Sequence, residues 1–237
     1  MAEVIEIGDI VINVTRKDVK NVHLSVHPPD GRVTLVAPRS TRVDVARAYA
    51  ITKIGWIRQQ RERLRSQARE APRQFVGRET HFLWGRRHLL RVSEKDAKPA
   101  IKLDHRAIHL QVRLGTSRDG RDKVVHEWHL QLLHSVVPSL IRKWEARIGV
   151  EVRGYFLQRM KTKWGSCNSE RKTVRLNTEL VKKPRDLLEY VIVHEMVHIL
   201  EPTHSSRFFA LLSEHFPNWA DARRELNELP DVLLKDL

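Results

Sequence analysis

The stretch His194-Glu195-Met196-Val197-His198-Ile199-Leu200-Glu201-Pro202-Thr203-His204 decides how the rest of the chain is read. Two histidines four apart on a helix project from one face about one turn apart, so both imidazoles reach a single metal ion. Glu195, directly after the first histidine, aims its carboxylate beside the metal, where it can take a proton from water. His204 supplies a third nitrogen once the chain turns back. Three protein ligands with one open position is the catalytic rather than the structural zinc arrangement.

The flanks support this reading. Pro184 suits the first turn of a helix, and Asp186 and Glu189 suit its positive end. Leu187, Leu188, Tyr190 to Val193, Met196, Val197, Ile199 and Leu200 fall all around the helical wheel, so the helix should be buried on nearly every side. Burying imidazoles and a carboxylate there without partners costs about 2–7 kcal/mol for each group. A metal ion satisfies them together. The bland alternative, hydrogen-bonded core histidines, is weakened by the apolar helix, by Pro202 at its end and by the placing of His204. That placing equals the third-ligand offset of the metzincin pattern, but Glu201 stands where metzincins carry glycine and no methionine follows. Glu201 reads first as a helix-end residue, with fourth ligand or histidine-orienting acceptor as alternatives. Ser205 or Ser206 caps the next helix, which carries Phe208, Phe209, Leu211, Leu212 and Phe216, and a final helix runs from Trp219 to Leu229.

Composition narrows the setting. Lys plus Arg outnumber Asp plus Glu by 43 to 29, a formal charge of +14 that favours an anionic partner such as nucleic acid over a merely solvated surface only weakly. Cys167 is the single cysteine, which excludes an internal disulfide and a four-cysteine zinc site and fits a reducing, cytoplasmic compartment. A cysteine mechanism has no second feature to support it. The N-terminus lacks a signal-peptide pattern and no apolar run reaches membrane-spanning length, so an intracellular protein without membrane contact is expected.

Before the metal stretch the chain reads as strands interrupted by helices. Ile10, Ile12 and Val14, then Val22, Leu24 and Val26, then Val33 and Leu35 alternate as in a small antiparallel meander, with a turn at Pro28-Pro29-Asp30-Gly31. A capping pattern at Thr41 and Asp44 opens one long helix to about Arg69. Arg58, Arg61, Arg65 and Arg69 line one face of it, as a phosphate-following stripe or as a solvated face with Trp56, Ile57 and Leu64 inward. Strands return from Phe75 to Val112, with a hairpin turn near Asp104 to Arg106. Gly115 to Gly120 is a polar boundary. Residues 121–148 then form a helix that Pro138 either kinks or divides. His126 and His129 on that helix have no third ligand nearby and read as packing residues. His23, His27, His81, His88, His105, His109, His134 and His215 are scattered. Lys161 to Asn168 reads as a turn-rich loop. Thr173 to Asn177 reads as a strand, the expected ledge for an extended peptide.

The run Met160-Lys161-Thr162-Lys163-Trp164-Gly165-Ser166-Cys167 resembles the YgjP-like metallopeptidases, as do Val174 to Asn177, Leu180, Tyr190-Val191, the His194 to His198 motif, His204 and Phe208. That family is related to the SprT and Wss1-type zinc proteases, some of which act on proteins crosslinked to DNA. The resemblance is strongest over residues 155–217. It implies a minimal zincin-like core with His194, His198 and His204 holding one Zn2+ and Glu195 as general base. The expected fold class is therefore α+β: a β-rich region over residues 1–115 interrupted by a long helix, then a zincin-like metallopeptidase domain over 116–237. The expected activity is hydrolysis of a protein or peptide substrate, with DNA or DNA-bound proteins as candidate partners. The competing expectation is a DNA-binding module with structural zinc and no proteolysis.

Overall fold

Alternation of apolar residues at Ile10, Ile12 and Val14, and again at Val33, Leu35 and Ala37, places both sets on the buried face of one sheet. The computed structural model describes residues 3–27, 31–66, 74–160 and 162–228 of the chain. It groups them into two compact units, 1–69 and 70–237. The polar stretch Gly115 to Gly120 lies inside the second unit, where it ends the loop after a sheet and forms the first turn of a helix.

The first unit contains β1 (Glu3–Ile7), β2 (Ile10–Lys17), β3 (His23–His27), β4 (Arg32–Pro38), α1 (Val43–Thr52) and α2 (Ile54–Ser66). Its sheet order is β1-β2-β4-β3, with β2 and β4 parallel, so it is a mixed sheet and not the expected meander. Local periodicity marks strand faces but carries nothing about which distant strand is the neighbour. The expected single helix is two, divided at Lys53, and Arg42 rather than Thr41 is the N-cap. Ala46, Ala50 and Ile57 close the core against the sheet.

The second unit begins with β5 (Thr80–Leu83), β6 (Arg86–Glu94), β7 (Ala100–Leu103) and β8 (Ala107–Val112), in the order β5-β6-β8-β7. Pairing senses repeat those of the first sheet, antiparallel, parallel, antiparallel. In both cases helix follows the fourth strand, so the chain uses one ββββα arrangement twice. The Asp104 carboxylate accepts from the backbone of Arg106 and Ala107, both at 2.7 Å, and closes the β7–β8 turn.

α3 (Arg118–Ile148) runs unbroken through Pro138. Ser117 caps it by accepting from the Gly120 N–H, and Gly149, at φ +75°, ends it. Three short strands follow: β9 (Gly154–Gln158), β10 (Gly165–Asn168) and β11 (Thr173–Asn177), then a 3₁₀ turn (Thr178–Lys182). α4 (Arg185–Val197), α5 (Ser206–His215) and α6 (Trp219–Glu228) complete the described chain.

α4 is the buried centre of the unit's main core. Leu187, Leu188 and every residue from Tyr190 to Val197 are buried, whereas Ile199 and Leu200, beyond the helix end, are not. The start of α4 is fixed by the β5–β6 turn, where the N–H groups of Trp84 and Gly85 donate to the carbonyls of Val181 and Lys182. Gly85 has φ +77°, and a Cβ there would stand 2.8 Å from Pro184 Cγ, so only glycine lets the turn seat against α4. Glu189 accepts from Trp144 Nε1 at 2.7 Å and pairs with Lys143, tying α4 to α3.

Candidate metal centre

His194 lies in the last turn of α4 and His198 is its C-cap residue. The helix then tightens, with the Ile199 and Leu200 N–H groups donating to the Met196 and Val197 carbonyls, and Pro202 prevents its continuation. The chain returns through Thr203 to His204, just before Ser205. That serine caps α5 by accepting from the Phe208 N–H at 3.2 Å. One ring nitrogen from each of His194, His198 and His204 falls within 4.8 Å of the others.

A backbone carbonyl orients one ring, and the other two face each other. His198 Nδ1 donates to the Glu201 carbonyl at 3.0 Å, which leaves Nε2 to face the other two rings. His194 Nε2 and His204 Nε2 face each other at 3.1 Å. Phe208, fully buried, lies with its ring centroid 4.9, 4.5 and 4.8 Å from those of His194, His198 and His204, stacked on His198 and edge-on to the others. The Glu201 carboxylate instead accepts from the Thr203 hydroxyl, so its carbonyl is the group that reaches the histidines.

Desolvation favours the neutral form of all three imidazoles, although His204 is the most exposed of them. For His194 burial acts first and then repulsion from His198 and His204, which together hold it down to about 2. Burial lowers His198 against the opposing pull of Glu201, and burial and then Arg223 lower His204. Neutral imidazole is the metal-ligating form. Three such nitrogens converging without a carboxylate or thiolate among them suit zinc, and a cation between the two facing Nε2 atoms would satisfy both.

Glu195 is buried beside the triad, and burial raises its carboxyl to about 8 against the lowering influence of Lys163. It packs against β10: a Cβ added at Gly165 would sit 2.7 Å from Glu195 Cγ and 2.8 Å from Cδ. A cleft of about 260 Å³ is lined by the three histidines and Glu195 on one side and by Lys163 and Gly165 to Cys167 on the other. The Cys167 thiol is pushed up to about 12 by burial and then by Glu195, which makes it a poor nucleophile.

The strand β10 is what the sequence did not disclose, because Gly-Ser-Cys-Asn has the composition of a turn. It corrects the expected ledge. β11 is central in the order β10-β11-β9 and is paired on both sides, so β10 carries the edge beside the cleft. Asn177 fixes the approach to β10, donating through Nδ2 to the carbonyls of Met160 and Lys163 at 2.9 and 2.8 Å.

Other candidate residues lie apart from the triad. His129 is buried in α3, and His126 lies beside Arg159. His27, His81, His109 and His134 contact Thr34, Glu79, Asp104 and Tyr155. Of the arginine stripe, Arg58 reaches Asp9 and Arg61 donates to the Gly31 carbonyl, while Arg69 and the Arg65 side chain lie outside the described residues.

The profile of the YgjP-like metallopeptidase domain matches residues 20–229. Among solved structures, the metallopeptidase zymogen abylysin of Pyrococcus abyssi is 18% identical over 39% of this chain and 92% of its own, with a TM-score of 0.37. The zymogen jannalysin of Methanocaldococcus jannaschii is 26% identical over 38% and 92%, with a TM-score of 0.34. No curated protein matches the chain. Among the described residues no helix is long and apolar enough to cross a membrane. The chain belongs to the YgjP-like metallopeptidase domain family and is a zinc metallopeptidase.

Proposed function

We propose that this peptidase holds one zinc ion between His194, His198 and His204 and cleaves peptide bonds with Glu195 as general base. The observation that carries the reading is the convergence of three ring nitrogens within 4.8 Å in the cleft that Glu195 also lines. Zinc, when bound, supplies Lewis acidity that acidifies water and polarises a carbonyl. Glu195 takes a proton from the attacking water and passes it to the leaving amine nitrogen. The peptide adds as a further strand to the edge of β10, which pairs with no other strand among the described residues, and this brings its backbone over the cleft. Lys163, the one Lys or Arg side chain lining that cleft among the described residues, is assigned to the negative charge that develops on the carbonyl oxygen.

Substrates among DNA-bound proteins are the finer form of this reading, supported by the +14 charge, and the single cysteine supports a cytoplasmic setting. A DNA-binding module with purely structural zinc suits the site less well, because structural sites are closed whereas this triad lines a cleft. Chelation tests the proposal. Removing metal should abolish hydrolysis of an unfolded protein substrate, and one equivalent of zinc should restore it in wild type but not in His198→Ala. Full activity after chelation would overturn it.

A further inference from the structure

On the outer face of the β10-β11-β9 sheet lies a second hollow, lined by Phe156, Ser166, Asn168, Arg171 and Arg175 among others. It shares Ser166 and Cys167 with the cleft of the histidine triad, so the two hollows adjoin across β10. Register explains its composition. Ser166, Arg175 and Phe156 are direct cross-strand neighbours, and Asn168 pairs with Thr173 two residues along, so these side chains share one face. Gly165, on the other face, packs against Glu195.

The hollow has a cationic and aromatic lining. Phe156 is 54% exposed, unusual for a phenylalanine in a strand, and the Arg175 guanidinium lies 6.0 Å from its ring centroid. Neither Arg175 nor Arg171 has a carboxylate partner among the described residues, whereas nearby Arg159 is paired with both Asp122 and Glu179. Two cations beside an apolar ring, at the wall of the cleft and without a carboxylate partner among the described residues, are open to an anionic group.

We propose that this hollow is a substrate subsite that selects acidic side chains, glutamate above all. The inference rests on the peptidase reading with β10 as the substrate edge. A peptide strand beside β10 would lie two strand spacings, roughly 10 Å, from β11. Its outward side chains would pass over Ser166, small enough to let a carboxylate meet the long arm of Arg175, with Arg171 beside it and Phe156 under the methylenes. Aspartate is one methylene shorter and reaches less well. Because side chains recur on one face every second residue, the preferred positions should be two apart.

The test is a scan in which glutamate replaces glutamine one position at a time in an unstructured peptide, measured with zinc-loaded wild type and with the double variant Arg171→Gln/Arg175→Gln. Wild type should favour glutamate over glutamine at one position, or at two positions spaced by two, by at least about tenfold in kcat/KM. The double variant should reduce that ratio below about twofold. The same preference should appear in peptide binding to Glu195→Gln. Cleavage without preference, or a preference that survives the double variant, overturns the subsite alone. Preferential binding without cleavage by wild type overturns the peptidase reading and leaves the subsite standing. If the two substitutions instead abolish salt-sensitive oligonucleotide binding and leave peptide selectivity flat, the hollow belongs to nucleic acid and the inference falls.

Discussion

Gly165 and Glu195 are in contact across the cleft, so closely that the glycine's missing side chain is the space the glutamate occupies. Glu195 hangs from α4 and Gly165 from β10, and the contact sets how far the carboxylate stands from the triad. Gly165→Ala should therefore displace Glu195 without touching a histidine. The expected result is a loss of kcat of about 100-fold or more with one zinc retained per chain. Wild-type turnover in this variant would show that the contact does not position the carboxylate.

Phe208 contacts all three imidazoles and is fully buried, so it joins packing to metal geometry. Phe208→Ala should cost about 3–5 kcal/mol in unfolding free energy measured with denaturant on the metal-free protein. Phe208→Leu keeps much of the volume but removes the flat face under His198, and should weaken zinc binding by about tenfold or more in a competition titration. Unchanged zinc affinity in Phe208→Leu would mean that the ring only fills space.

His129 gives a pH dependence separable from the metal centre. Burial acts first, then the nearby Lys182 charge, and together they hold its imidazole down to about 3; its Nε2 has no hydrogen-bond partner among the described residues. The folded value lies below the unfolded one, so the unfolded chain takes the proton first. The stability this group contributes is complete above about pH 6.5 and is lost as pH falls toward 3. Between pH 6.5 and 5 wild type should lose about 2 kcal/mol more than His129→Gln in denaturant unfolding of the metal-free proteins. Equal losses would contradict this.

What the sequence discloses is what is local. Ile10, Ile12 and Val14 announce a buried strand face, and the apolar run of α4 announces a helix buried all round, because period and composition act over a few residues. The i, i+4 spacing of His194 and His198 is likewise local, and His204 needs only the turn at Pro202 to join them. The parallel pairings β2–β4 and β6–β8 are choices between distant segments that no window of sequence contains. The repeated ββββα arrangement is hidden for the same reason. At the cleft, Gly165 reads as a turn residue until β10 is seen beside Glu195, and the strand reading of Thr173 to Asn177 does not show that Ser166 and Phe156 flank Arg175.

Turnover of Glu195→Gln at full zinc occupancy tests the central claim most directly. The substitution keeps the shape of the side chain that fits against Gly165 and removes its capacity to carry a proton. Hydrolysis of an unfolded protein substrate should fall by at least about 10²-fold, the lower range for losing a general base, with one zinc per chain as in wild type. Cleavage at the wild-type rate by the fully zinc-loaded variant would contradict the account.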